Sequence, residues 1–344
     1  MKAFDLFSGI GGFRYAFESI FKSKKDKTIG WCEIDTYCQK TYSANFNIKN
    51  DFFIKDIKEI TSPKNDFCNK NNFNSKHKSL NIKKKIPKFD ILFAGFPCQS
   101  FSSMGNQKGI KDDRGLLFYD ILALLNSLKP NYFILENVKR LLTIDSKKTF
   151  KMMLELINFI GYDVSWWLLD SKDYGVPQTR RRVYIYGVLK KLKKKIPLDN
   201  PPKLFLKKTT KDILDKNVDK KYFLSKKILK TILKNGTGGY YSKSEIDLDI
   251  ARPLTRTMVK MHRANQDNYY SNKFVNSEDK LKWIRKLTPK EALRLQGFND
   301  KFYYNAKCVG ISDTQLYMQA GNSVTVNVIK NILKHLIKNE WFIK

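Results

Sequence analysis

Through the first half of the chain, short apolar runs of strand length alternate with longer segments in which apolar residues recur every three to four positions. The short runs fall at residues 3–7, 29–34, 89–94, 132–136, 164–169 and 183–188, and the helical spacing falls at 13–21, 36–45, 116–128 and 149–160. Such alternation predicts an α/β fold, a parallel sheet whose crossovers are helices packed on its faces. Two stretches break the pattern. Residues 61–88 are rich in Asn, Lys and Ser and poor in apolar side chains, the composition of a long surface insertion. After Val188 the run LKKLKKKIPLDNPPK is basic and punctuated by proline, which marks a boundary. From there to residue 299 the chain is irregular, basic and aromatic-rich, as expected of a small loop-rich domain that contacts something large, and helical spacing returns over 323–343. The expected organisation is residues 1–189 plus 310–344 as one domain, with 190–309 as a second domain and its hinge.

Charge adds a partner class. Lys and Arg number 65 against 33 Asp and Glu, a formal net charge of +32 over 344 residues. Self-repulsion of that size points to a polyanionic partner, nucleic acid first, although a coding bias toward Lys, Asn, Ile and Phe gives the same excess. The five cysteines, Cys32, Cys38, Cys68, Cys98 and Cys308, are odd in number and include no CxxC pair. That argues against a disulfide framework and a structural zinc site, and for a reducing compartment. The N-terminus enters a Gly-rich turn too soon for a signal peptide, and no apolar run approaches the roughly 18 residues that cross a bilayer. A soluble, cytoplasmic, monomeric chain without a metal is expected.

In FDLFSGIGGF, Gly9, Gly11 and Gly12 follow a strand and precede a helix, where missing side chains let the backbone approach a ligand closely. The spacing departs from the dinucleotide GxGxxG, and a plain tight turn explains it equally. Glu33, at the end of the second strand, suits hydrogen bonds from ribose hydroxyls, so the pair suggests an adenosine-containing ligand. In GFPCQSFSSMG, Cys98 stands behind Pro97 at the end of an apolar run and before small residues, as an exposed loop thiol would.

These two motifs, then ENV (136–138), QTRRR (178–182), LTPKEALRLQGF and QAGNSV, stand in an order that resembles the DNA (cytosine-5)-methyltransferases of bacterial modification systems. The resemblance spans nearly the whole chain and implies an S-adenosylmethionine-dependent, Rossmann-like sheet flanked by helices, with a smaller irregular domain that recognises a DNA target. By motif it assigns the cofactor S-adenosyl-L-methionine to Phe7, Gly9, Gly11, Gly12, Glu33, Ile34, Asp56, Pro97, Leu117, Asn322 and Ser323. Asn322 and Ser323 would also suit a helix N-cap, and Phe7 and Ile34 the ordinary core.

The chemistry implied is methyl transfer to carbon 5 of cytosine. That carbon is a poor nucleophile until a soft nucleophile adds at carbon 6, the role the resemblance gives to Cys98. Arg180 and Arg182 would supply positive charge for the thiolate, with Arg182 also on the base carbonyl oxygen and Arg180 nearer the thiol or a phosphate. Glu136, ending an apolar strand, would hold a proton for ring nitrogen 3, since burial raises a carboxyl pKa. Arg181 should point the other way. The ring must leave the stack of double-stranded DNA to be reached from both faces, so base flipping is implied. The loop 102–115 would close over the extruded nucleotide, with Gln99, Ser102, Met104, Lys108 and Arg114 against DNA. Base readout would fall to Thr255, Arg256, Thr257 and Arg263, with Arg252, His262, Asn265 and Gln266 of suitable type; a solvated basic surface is the plainer alternative. Residues 170–174 and 287–298 look structural. The same chemistry on transfer RNA, and a catalytically silent DNA-binding relative, are the competing readings; the glycine spacing disfavours an NAD-type oxidoreductase.

Overall fold

The computed structural model describes residues 1–61, 82, 85–97, 116–233, 236–237, 240–241, 245–259, 262–263, 265–275 and 283–342. Seven strands form one sheet: β1 (Lys2–Leu6), β2 (Lys27–Cys32), β3 (Phe52–Ile54), β4 (Ile91–Gly95), β5 (Tyr132–Val138), β6 (Tyr162–Asp170) and β7 (Arg181–Leu189), in the spatial order β3-β2-β1-β4-β5-β7-β6. The first five are mutually parallel, as the alternation predicts. The expectation of a wholly parallel sheet is corrected at its far edge, where β7 runs antiparallel to both β5 and β6. Hydrophobic spacing carries no information on strand direction. The direction matters: an antiparallel β7 starts where β5 ends, so the arginines at its head meet the acid at the tail of β5.

Both faces of the sheet are buried, and alternate strand residues supply the two cores. Ala3, Ile91, Phe93, Tyr132 and Ile134 face one side, packed by α1 (Gly12–Ile20) and α2 (Thr36–Asn45). Phe4, Leu92, Ala94, Phe133 and Leu135 face the other, covered by α3 (Leu116–Leu128) and α4 (Lys148–Phe159). Each predicted helix of this half is present within about one residue of its expected ends.

The second region is less irregular than expected. It contains α5 (Lys226–Leu233), the short pairs β8 (Gly236–Thr237) with β9 (Tyr240–Tyr241) and β10 (Tyr269–Ser271) with β11 (Ile284–Lys286), and α6 (Pro289–Leu295). A small core of Leu224, Ile232, Tyr269 and Ile284 lies here. The helix α6 begins with a Thr288–Glu291 capping box and Pro289 in its first turn, a start signal that LTPKEALRLQGF carries in full. It is followed by α7 (Asp300–Cys308), α8 (Asp313–Asn322) and α9 (Val326–Lys338). Ala292, Leu295, Phe302, Leu316 and Ile329 from these helices, with Phe298 between α6 and α7, join the core of the first face. Residues 62–81 and 83–84 of the expected insertion lie outside the described residues; of the rest, Thr61, Ile82 and Ile86 are buried and Lys85, Pro87 and Lys88 are exposed.

Candidate active site

The carboxyl ends of β1, β2, β4 and β5 lie along one edge of the sheet, where open α/β folds hold ligands. After β1 the chain turns at Phe7 with φ +54°, continues through Gly9 at +54° and Gly11 at +84°, and enters α1. A left-handed non-glycine residue such as Phe7 is a strained conformation of the kind that collects at functional sites. Glu33, just past β2, reaches over this turn. One carboxylate oxygen accepts from the Gly9 amide at 2.7 Å and the other from the Asp35 amide at 2.8 Å. Burial pushes its carboxyl up despite those amides. Ile34 beside it is 61% exposed, and so is no core residue. Asp56 caps a short helical turn by accepting from the Lys58 amide at 2.9 Å.

The C-terminal motif meets the same turn. A Cβ on Gly12 would stand 2.6 Å from Val324 Cγ2 and 3.1 Å from Ser323 Oγ, so only glycine admits this approach. Asn322 is the exposed last residue of α8 and Ser323 is buried just after it. They therefore close a helix and do not N-cap one; Thr325 precedes α9. Leu117 is half-buried on α3 and Pro97 is exposed just beyond β4.

Glu136 sits on β5 beside Gly95 of β4 and is 9% exposed. Across the antiparallel pair it faces Tyr184, and Arg182 is its diagonal neighbour, opposite Val138. Arg182 Nε lies 3.1 Å from Glu136 Oε1. Burial raises the Glu136 carboxyl above the ordinary range, against the opposing pull of Arg182 and then Arg180. Next to it, Asn137 donates to the Phe96 carbonyl at 3.1 Å and so fixes the backbone two residues before Cys98. Cys98, Gln99, Ser102, Met104, Lys108 and Arg114 lie outside the described residues. Among the other cysteines, Cys32 and Cys38 are buried and Cys308 is exposed, all free.

Arg181 points away from its neighbours, to Asp170 Oδ2 at 3.2 Å. Arg180 is expected near a thiol or phosphate; Cys98 lies outside the described residues, and the structure gives the protein partners of Arg180. It is 3% exposed, and its guanidinium donates to the carbonyls of Leu254 (2.8 Å), Gly321 (3.1 Å) and Ser323 (3.0 Å). A buried cation needs such acceptors, and spacing alone could not tell that they would be protein carbonyls.

The DNA-reading candidates divide into braces and exposed side chains. Arg263 pairs with Asp267 at 3.0 Å and donates to Thr255 Oγ1 at 2.9 Å, and Arg252 pairs with Glu245 at 3.1 Å. Both guanidinium groups thus hold the loop together. Arg256, His262, Asn265 and Gln266 are exposed, and Thr257 is half-buried. Sequence reasoning missed Gln178, whose side-chain oxygen accepts from the Leu254 amide at 3.0 Å, and Asp5, fully buried beneath α1. An acid inside an apolar run, and an amide whose partner is a backbone group 76 positions away, gave no directional signal. No group of His, Cys, Asp and Glu suited to a metal occurs among the described residues, and none of their helices is long and apolar enough to cross a membrane.

A raised acid clamped to an arginine, a turn of left-handed backbone after β1 and a backbone held at Phe96 gather at the carboxyl edge of the sheet. The family of C-5 cytosine-specific DNA methylases matches residues 1–338, and the chain belongs to it. It is 33% identical over 344 residues to the Type II methyltransferase M.DsaV of Dactylococcopsis salina, across 98% of this chain and 86% of that one. It is 36% identical over 340 residues to the Type II methyltransferase M.HaeII of Haemophilus aegyptius, across 98% and 93%. The Dnmt2 methyltransferase of S. pombe shares the fold with a TM-score of 0.74 at 20% identity, covering 99% of this chain and 100% of that one.

Proposed function

We propose that the chain methylates carbon 5 of cytosine within a specific sequence of double-stranded DNA, using S-adenosyl-L-methionine, by flipping the base out and adding Cys98 to carbon 6. The observation that carries this reading is the buried Glu136–Arg182 pair at the carboxyl end of β5, with Asn137 holding the Phe96 carbonyl two residues before Cys98. The cofactor supplies an electrophilic methyl group on a sulfonium. Phe7, Gly9, Gly11 and Gly12 bring backbone against it, Glu33 takes the ribose hydroxyls, Asp56 the adenine amino group, and Ser323 with Asn322 closes the opposite wall. The approach of Gly12 to Ser323 supports a single pocket built from both ends of the chain.

Glu136, held up by burial, donates its proton toward ring nitrogen 3 as density arrives there from the thiolate addition. Arg182 orients that carboxyl and stands ready for the base carbonyl oxygen. Residues 190–309 choose the target, and the exposed Arg256 and Thr257 are the better base readers, because Arg252 and Arg263 are engaged as braces. The relatives named as Type II methyltransferases support DNA over transfer RNA as substrate. Bisulfite sequencing of DNA from cells expressing the chain, with transfer RNA examined alongside, tests the reading. Methylcytosine confined to one short DNA sequence is expected; methylation of transfer RNA alone would displace it.

A further inference from the structure

QTRRR holds more than the catalytic acid. Alternate residues of an extended segment share a face, and here Gln178, Arg180 and Arg182 do so. Arg182 grips Glu136. Gln178 and Arg180 together take both backbone groups of Leu254, its amide at 3.0 Å and its carbonyl at 2.8 Å. The other arm of Arg180 holds the carbonyls of Gly321 and Ser323. Loop and turn also touch directly: a Cβ on Gly321 would lie 2.3 Å from the Thr255 carbonyl carbon and 2.5 Å from the Arg256 amide nitrogen. From its far side the loop is braced by Arg263 on Thr255. One guanidinium thus ties Leu254 to the 321–323 turn at the end of α8 and, through β7, to the strand that carries the acid's partner.

We propose that Arg180 is a positioning residue that locks the DNA-reading loop to the turn carrying Asn322 and Ser323, so that target DNA and cofactor strengthen each other's binding. The inference rests on the reading of that loop as DNA-facing and of that turn as the cofactor wall. A guanidinium can hold three carbonyls in a fixed plane, whereas an ammonium is a point donor on a flexible stem. Burial and the neighbouring Arg182 lower the Arg180 pKa to about 9, so the charge is retained at neutral pH through its carbonyl acceptors and Glu136.

The test is a binding square. S-adenosylhomocysteine affinity is measured by calorimetry with and without a duplex of the methylated sequence, and duplex affinity by fluorescence anisotropy with and without S-adenosylhomocysteine. In the wild type each ligand should tighten the other by at least about fivefold, the lower end of ordinary coupling. Arg180→Lys should keep each single-ligand affinity within about threefold while the coupling falls below about twofold. Should that variant fold poorly by circular dichroism, Gly321→Ala, which forces loop and turn apart and keeps the guanidinium, has to give the same loss of coupling. Wild-type coupling that survives in the folded variant overturns the inference, as does an Arg180→Lys protein that loses one single-ligand affinity outright, since that would mark a direct contact. Failure of the wild type to bind S-adenosylhomocysteine at all would instead overturn the cofactor reading.

Discussion

Removing Arg182 leaves a buried carboxyl with its ion partner gone, and the cost can be bounded from the structure. The Glu136 side chain is 11% exposed and the Arg182 side chain 17%, with one contact of 3.1 Å. If Glu136 stays ionised in Arg182→Ala, loss of one partner of a buried pair costs about 3–5 kcal/mol. It can instead take up a proton, at about 1.4 kcal/mol for each pH unit above an unfolded-state value near 4.3. That ceiling is about 3.7 kcal/mol at pH 7 and about 1 kcal/mol at pH 5, so the expected destabilisation is about 2–3 kcal/mol at neutral pH, shrinking as pH falls. The sign follows from Glu136 having a folded-state pKa raised above its unfolded one. Its stability contribution is full below the unfolded value and is lost as pH rises through the folded value, and Arg182 is the group that limits the loss. Urea unfolding near pH 5 and near pH 8 measures this for the wild type, Arg182→Ala, Glu136→Gln and the double variant. In the Glu136→Gln background Arg182→Ala should cost less than about 1 kcal/mol at either pH. An equal cost at both pH values, or in both backgrounds, would refute the description of the pair.

Glu33→Ala should weaken S-adenosylmethionine binding by about 1–3 kcal/mol, and Asp56→Ala likewise; unchanged calorimetric affinity in both folded variants would remove the adenosine pocket. Gly12→Ala, which drives a Cβ to 2.6 Å from Val324 Cγ2, should cost about 1–3 kcal/mol in urea unfolding and lower cofactor affinity, and a neutral effect on both would contradict the close approach of the two chain ends. Exchanging residues 190–299 with those of a relative should change the methylated sequence, read by bisulfite sequencing; an active chimera that kept its original target would contradict the assignment of target choice to that region.

The layered α/β architecture was legible because strand and helix periods differ, and each apolar stretch of the first half matches one of them. Strand order and the reversal of β7 were not, since both depend on which edges meet. β3 escaped because three residues are too short to show a period. The helices α7 and α8 were lost among aromatic and polar residues whose spacing is weak, although Asn299 and Ser312 cap them as short polar residues do. At the site, types and order sufficed to collect Glu136, Arg182, Glu33, Gly12 and Ser323 at one edge. The partners of Arg180 were illegible because they are backbone carbonyls of residues 74 to 143 positions away, and those carry no side-chain signature.

The most direct measurement of the central claim is covalent capture at Cys98. If its thiolate adds to carbon 6 and the methyl group arrives at carbon 5, release requires loss of the proton on carbon 5 and expulsion of the thiolate. Fluorine in place of that proton cannot leave as a cation. A duplex with 5-fluorocytosine at the target, incubated with S-adenosylmethionine, should give a denaturation-resistant, slower-migrating band that needs the cofactor. The band should be absent with Cys98→Ala, although that variant still binds DNA through its phosphate and base contacts, and slower to form with Glu136→Gln, whose amide is no acid. A wild-type protein that methylates the ordinary duplex but forms no band with the fluorinated one, or a Cys98→Ala variant that still methylates, would contradict the covalent mechanism.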